Sequence, residues 1–218
     1  SNCVPAENRF AYARSTDLCH WEDLTPVLAA RIPGGWDELA IWAPFVHQEA
    51  GVYYLYFTGV NANLVQSIML ATSTDPADKD SWVIQGVAYR PTHLGAGWVS
   101  CRDPMVLKTA GVYYLYYAGS SGGSATIEVA VASSPVGPWA YWGPILVGTG
   151  TALESPTVVS NGPYYYLLYN SPTAGGERYR IGTSPVGPWG EEHVLAPGWA
   201  HEIWMGLEGY WYTSYLTD

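Results

Sequence analysis

The stretch WVSCRDPMVLKTAGVYYLYYA, Trp98 to Ala118, decides the reading of this chain. It holds Arg102-Asp103-Pro104, an apolar run, a glycine at 111 and a strand of stacked aromatics. The layout recurs three times. Trp42-Ala43-Pro44 leads to Gly51 and Tyr53-Tyr54-Leu55-Tyr56; Glu154-Ser155-Pro156 leads to Gly162 and Tyr165-Tyr166-Leu167; His201-Glu202-Ile203 leads to Gly209 and Trp211-Tyr212. A repeat of roughly 50–60 residues with several short strands per copy predicts propeller blades.

Between these units lie FAYARSTDLCHWEDL (10–24), IMLATSTDPADKDSW (68–82), IEVAVASSPVGPW (127–139) and YRIGTSPVGPW (179–189). Each reads as a small-residue strand, a Ser/Thr-Asp/Pro turn, and a Trp that opens another strand. No helical stripe exceeds two turns. The expectation is an all-β propeller of four blade modules in a single domain, residues 1–218. The chain opens on a third strand and closes on a second, so residues 199–218 and 8–28 are expected to pair in one blade and close the ring, which removes open edges.

Composition narrows the partners. The 218 residues carry a formal charge of −10, and Lys79 and Lys108 are the only lysines. A nucleic-acid partner is excluded, because phosphate binding needs clustered basic side chains. No apolar run approaches the ~18–20 residues that span a bilayer. With 11 Trp and 18 Tyr, the chain is rich in flat faces on which a ligand can stack. Three cysteines leave free thiols or a Cys3–Cys19 bridge open. No secretory leader is recognisable, and secreted and cytoplasmic bacterial locations both stay open, as does the oligomeric state.

The ordered set Ser15-Thr16-Asp17-Leu18 with His20-Trp21-Glu22, Trp42-Ala43-Pro44, Arg102-Asp103-Pro104, Glu154-Ser155-Pro156 and the Gly-x-Tyr-Tyr-Leu-Tyr strands resembles the arabinanase/β-xylosidase propellers of glycoside hydrolase family 43, with family 32 as a cousin. The resemblance runs over essentially the whole chain. It implies inverting hydrolysis of arabinose- or xylose-containing plant polysaccharides on a normally five-bladed propeller with three axial carboxyl groups. By motif, Asp103 matches the residue that tunes the acid, and Glu154 matches the general acid. The base has no match, because the chain begins after the strand that would hold it, and Phe45 stands where relatives often have Asp. A fragment of a larger enzyme, a natural or engineered four-bladed ring without strong activity, and a non-catalytic carbohydrate-binding propeller are the open readings.

The residues themselves carry a chemical argument. Glycoside hydrolysis needs a protonated carboxyl beside the leaving oxygen and a carboxylate ~6.5–9.5 Å away. Adjacent first strands offer Asp103 and Glu154 to one cavity; the bland reading pairs Asp103 with Arg102 and leaves Glu154 in solvent. Glu202 and Asp37 are the candidates for the missing base. Counted back from the glycine turn, His201 falls at the register of Asp103 and is expected at the axis, beside water or, as the resemblance suggests, a central ion; no other cofactor is expected. Trp42, Trp98 and Trp204 are expected to floor a sugar site, with Arg102 and His201 as polar contacts, though each Trp equally suits plain packing.

Overall fold

The computed structural model describes residues 8–28, 34–92, 100–121, 123–149, 152–171, 176–196, 198–206 and 208–216. Its contacts fall into two compact units, Ser1–Arg90 and Pro91–Asp218. In the first, β1 (Phe10–Arg14) and β2 (Glu22–Val27) form a hairpin. There β3 (Ala40–Glu49), β4 (Val52–Val60), β5 (Gln66–Ser73) and β6 (Val83–Tyr89) form a four-stranded antiparallel meander. Phe10, Val27, Ile41, Leu55, Phe57, Met69 and Ala71 make its core, and the rings of Phe10 and Phe57 meet edge to face at 5.6 Å.

The second unit holds two more four-stranded meanders. One is β7 (Cys101–Thr109), β8 (Val112–Ser121), β9 (Ser124–Ala132) and β10 (Ala140–Val147). The other is β11 (Glu154–Asn161), β12 (Tyr164–Asn170), β13 (Glu177–Gly182) and β14 (His193–Ala196). A hairpin of β15 (Trp199–Met205) and β16 (Trp211–Leu216) follows. The sole helical piece among the described residues is one 3-10 turn, Lys79–Ser81. The all-β expectation holds, with four strands per complete sheet.

The terminal strands do not share a sheet among the described residues: β1–β2 and β15–β16 are separate two-stranded sheets. Each pairs with its sequence neighbour, β1 with β2 and β15 with β16. The fully buried tyrosines are Tyr56, Tyr116, Tyr117 and Tyr169, two or three residues beyond the Tyr-Tyr pairs of the same strands. Among the described residues Cys19 and Cys101 form no disulfide, and Cys3, with the Cys3–Cys19 bridge, lies outside them.

Two features set the register. At Ala50-Gly51 and Ala110-Gly111 both central turn residues sit at positive φ, which is the twist a two-residue hairpin needs. Near the heads of β3, β7, β11 and β15 a bulge breaks the ladder. Register slips between Trp42 and Phe45, Arg102 and Met105, Glu154 and Thr157, and Trp199 and Glu202. The first residue inside each slip is left-handed: Ala43, Asp103, Ser155 and Ala200, at φ 47, 57, 49 and 52.

Inside the β7–β10 sheet, Glu128 is fully buried. Tyr117 donates to its Oε2 at 2.6 Å and Thr126 to its Oε1 at 2.9 Å. Gly119 leaves the room: a Cβ there would come within 2.8 Å of Glu128 Cδ, whereas one on Gly111 would meet nothing within 4 Å. Gly111→Ala, strained by its φ of 78° alone, should destabilise by ~1–2 kcal/mol. Gly119→Ala should cost ~1–3 kcal/mol through overpacking. Urea unfolding of both variants beside the parent chain checks the pair.

Candidate active site

The bulges place three charged side chains together in the second unit. Arg102 is the second residue of β7, Asp103 occupies its left-handed position, and Glu154 opens β11. Arg102 donates from Nη2 to Glu154 Oε1 at 2.6 Å, and its Nε lies 3.8 Å from Asp103 Oδ2. Its Nη1 donates to Ser100 Oγ. The backbone N–H of Ser155 donates to Asp103 Oδ2 at 3.0 Å. One guanidinium therefore bridges the two carboxyl groups that the motifs singled out, and the amide beside Glu154 donates to the same oxygen of Asp103 that faces Arg102.

An aspartate tolerates the left-handed region better than most residues, because its short polar side chain bonds locally. Asp103 is held there with its carboxyl largely out of solvent. Burial pushes that carboxyl above the usual range. The Ser155 amide and Arg102 pull it back, and the Glu154 charge pushes it up again.

A second cluster lies beside the first. Across the sheet, Glu154 pairs with Asn170 and Asn170 with Glu177, so three polar residues stand in one cross-strand row. Glu177 is fully buried, and its Oε2 is 3.3 Å from His201 Nδ1. The packing of β15 on β11 includes a bond from Thr157 Oγ1 to the His201 carbonyl, 3.2 Å. Burial lowers the His201 pKa. Burial, reinforced by the Glu202 charge, raises Glu177 to about 8. Glu202 keeps part of its surface in solvent, yet desolvation of its carboxyl raises it to about 7.

The bulge corrects one expectation: Ala200, not His201, occupies the place of Asp103. β7 turns through two residues, whereas β15 turns through five, 206–210, so counting back from the glycine misplaces the register by one. His201 is nonetheless buried against Glu177. The described residues contain no group of three or more His, Cys, Asp and Glu arranged to hold a metal ion.

The remaining candidates are placed within their own units. Trp42, the third residue of β3, precedes the bulge of its own sheet as Arg102 and Glu154 precede theirs. Asp37 is buried in the loop ahead of β3. Trp204 stacks on Tyr212 at 5.8 Å on the outer hairpin. Trp98 lies outside the described residues. Glu177 is the residue that sequence reasoning missed; its one signal is an acidic side chain at the head of β13, ERYRIG.

The raised Glu177 has a measurable consequence. Its folded form binds the proton more tightly than its ordinary value of 4.5 allows, with a pKa of about 8. The stability it contributes is full below 4.5 and is lost as pH rises towards 8, at about 1.4 kcal/mol per pH unit. Glu177→Gln should flatten that slope and melt above the parent chain in alkaline buffer. Thermal unfolding across the neutral range measures it.

The pattern for glycosyl hydrolases family 43 matches residues 4–197. No curated protein matches the sequence. Among solved structures, an endo-arabinase from Bacteroides thetaiotaomicron superposes with a TM-score of 0.80 at 17% identity, over 96% of this chain and 81% of that one. A thermostable family-43 glycoside hydrolase gives 0.75 at 17% identity, over 94% and 74%. An exo-beta-1,3-galactanase from Phanerochaete chrysosporium, solved with beta-1,3-galactotriose, gives 0.67 at 18% identity; the chain spans 44% of its length. At these identities the likeness is one of fold, and the match over residues 4–197 carries the assignment: the chain belongs to glycosyl hydrolases family 43.

Proposed function

We propose that this chain is a single propeller that hydrolyses arabinose- or xylose-containing plant polysaccharides with inversion, its three four-stranded sheets serving as blades and each terminal hairpin as half of one. Glu154 gives its proton to the glycosidic oxygen. Asp103 tunes and positions that acid. Glu202, on the strand packed beside β11, draws the proton from the attacking water. The observation that carries the reading is the Arg102 guanidinium between Asp103 and Glu154, which supports a shared site for two carboxyl groups of the kind this chemistry needs.

The same bond favours a second reading. Glu154 must be released from Arg102 before its carboxyl can donate a proton. Were the pair never to open, the chain would bind sugar without cleaving it. Substrate hydroxyls that accept from Arg102 are the means of release in the hydrolytic reading.

Turnover of nitrophenyl arabinofuranosides and xylosides decides between them. Glu154→Gln should lower the rate by ~10²–10⁴-fold, the usual contribution of a general acid. A base must be ionised, so the parent rate should climb as pH rises through about 7, the Glu202 value, and Glu202→Gln should abolish that limb. Sugar binding with no turnover in the parent chain would establish the second reading instead.

A further inference from the structure

The Trp that precedes each fourth strand does one job in three places and another in the fourth. Trp82, Trp139 and Trp189 have buried indole nitrogens, and Trp82 packs on the core of its unit. Trp21, at the same point ahead of β2, is 57% exposed. It borders a groove of about 250 Å³ lined by Arg14, Ser15, Thr16, His20, Trp21 and Glu22.

The polar groups of that groove are fixed before any ligand arrives. Arg14 Nε donates to Glu22 Oε2 at 2.8 Å, and His20 Nδ1 lies 2.7 Å from Asp17 Oδ2. That contact leaves the other ring nitrogen, Nε2, for a ligand. Asp17 Oδ1 accepts the backbone N–H of Cys19 and of His20, and Ser15 Oγ accepts those of Asp17 and Leu18. A flat indole face flanked by pre-set donors and acceptors suits a ring with apolar C–H faces and equatorial hydroxyls. The charges are already matched in pairs, which favours a neutral ligand over an anionic one.

We infer that Trp21, with Arg14 and His20 at its rim, is a second carbohydrate-binding site that takes a neutral pyranose residue of a polysaccharide. This rests on the carbohydrate reading of the Arg102–Glu154 site but uses none of its residues. The site holds polymer and performs no chemistry.

Affinity electrophoresis of the full chain in gels containing arabinoxylan tests it, beside turnover of a small nitrophenyl glycoside. Trp21→Ala should weaken retardation by about tenfold. Trp21→Phe should restore most of it, Arg14→Gln should cause a smaller loss, and small-substrate turnover should stay at the parent level in all three. Unchanged retardation of Trp21→Ala overturns the inference and leaves the hydrolase reading intact. So does a parallel loss of small-substrate turnover, which would mark Trp21 as packing. A parent chain that is not retarded at all also overturns it, and the small-substrate assay then judges the hydrolase reading separately.

Discussion

The bulge at the head of each first strand is the constraint on which the rest of the second unit depends. A β-strand sends successive side chains to opposite faces, so an unbroken β7 would place Arg102 and Asp103 on opposite sides of the sheet. The extra residue, held left-handed at φ 57, breaks that alternation. Asp103 and Arg102 can then both approach Glu154, which the same device presents on β11. The strain at that non-glycine position is offset by the ion pair and the amide hydrogen bond it makes available.

Charge in this neighbourhood is costly and carefully placed. Arg102 faces two carboxyl groups, and a third pair, Glu177 and His201, lies buried one cross-strand row away. Two carboxyl groups that cannot both be ionised cheaply, next to a histidine that burial keeps neutral, tend to share protons instead of holding fixed charges. Such surroundings allow one carboxyl to act as acid while another acts as base near neutral pH. Asp103 and Glu202 show the same upward push for the same reason, loss of solvent.

Much of this was legible from residues. The Gly-x-Tyr-Tyr strands announced their turns, because Ala50-Gly51 and Ala110-Gly111 need two left-handed residues in succession and glycine admits that geometry. Arg102-Asp103-Pro104 and Glu154-Ser155-Pro156 announced the site, because charged residues beside a proline at strand heads are poor core material. What escaped depended on contacts or loop length. Glu177 looked like the solvated head of a strand that also carries Arg178 and Arg180, until Asn170 paired with it and His201 packed against it. His201 was misplaced because one five-residue loop replaced a two-residue turn. The terminal pairing was argued from inventory alone, and among the described residues each terminal hairpin forms a two-stranded sheet of its own.

The fit between Gly119 and Glu128 binds two positions into one unit of sequence change. Any side chain at 119 collides with a carboxylate already held by Tyr117 and Thr126. Shortening 128 alone strands two hydroxyl donors in the interior, with the penalty that unmet buried polar groups carry. Drift at either site is therefore blocked one step at a time, while a joint replacement that refills the same volume remains open. In related chains the two columns should vary together or stay fixed together, a correlation that follows from a few cubic ångströms of missing side chain.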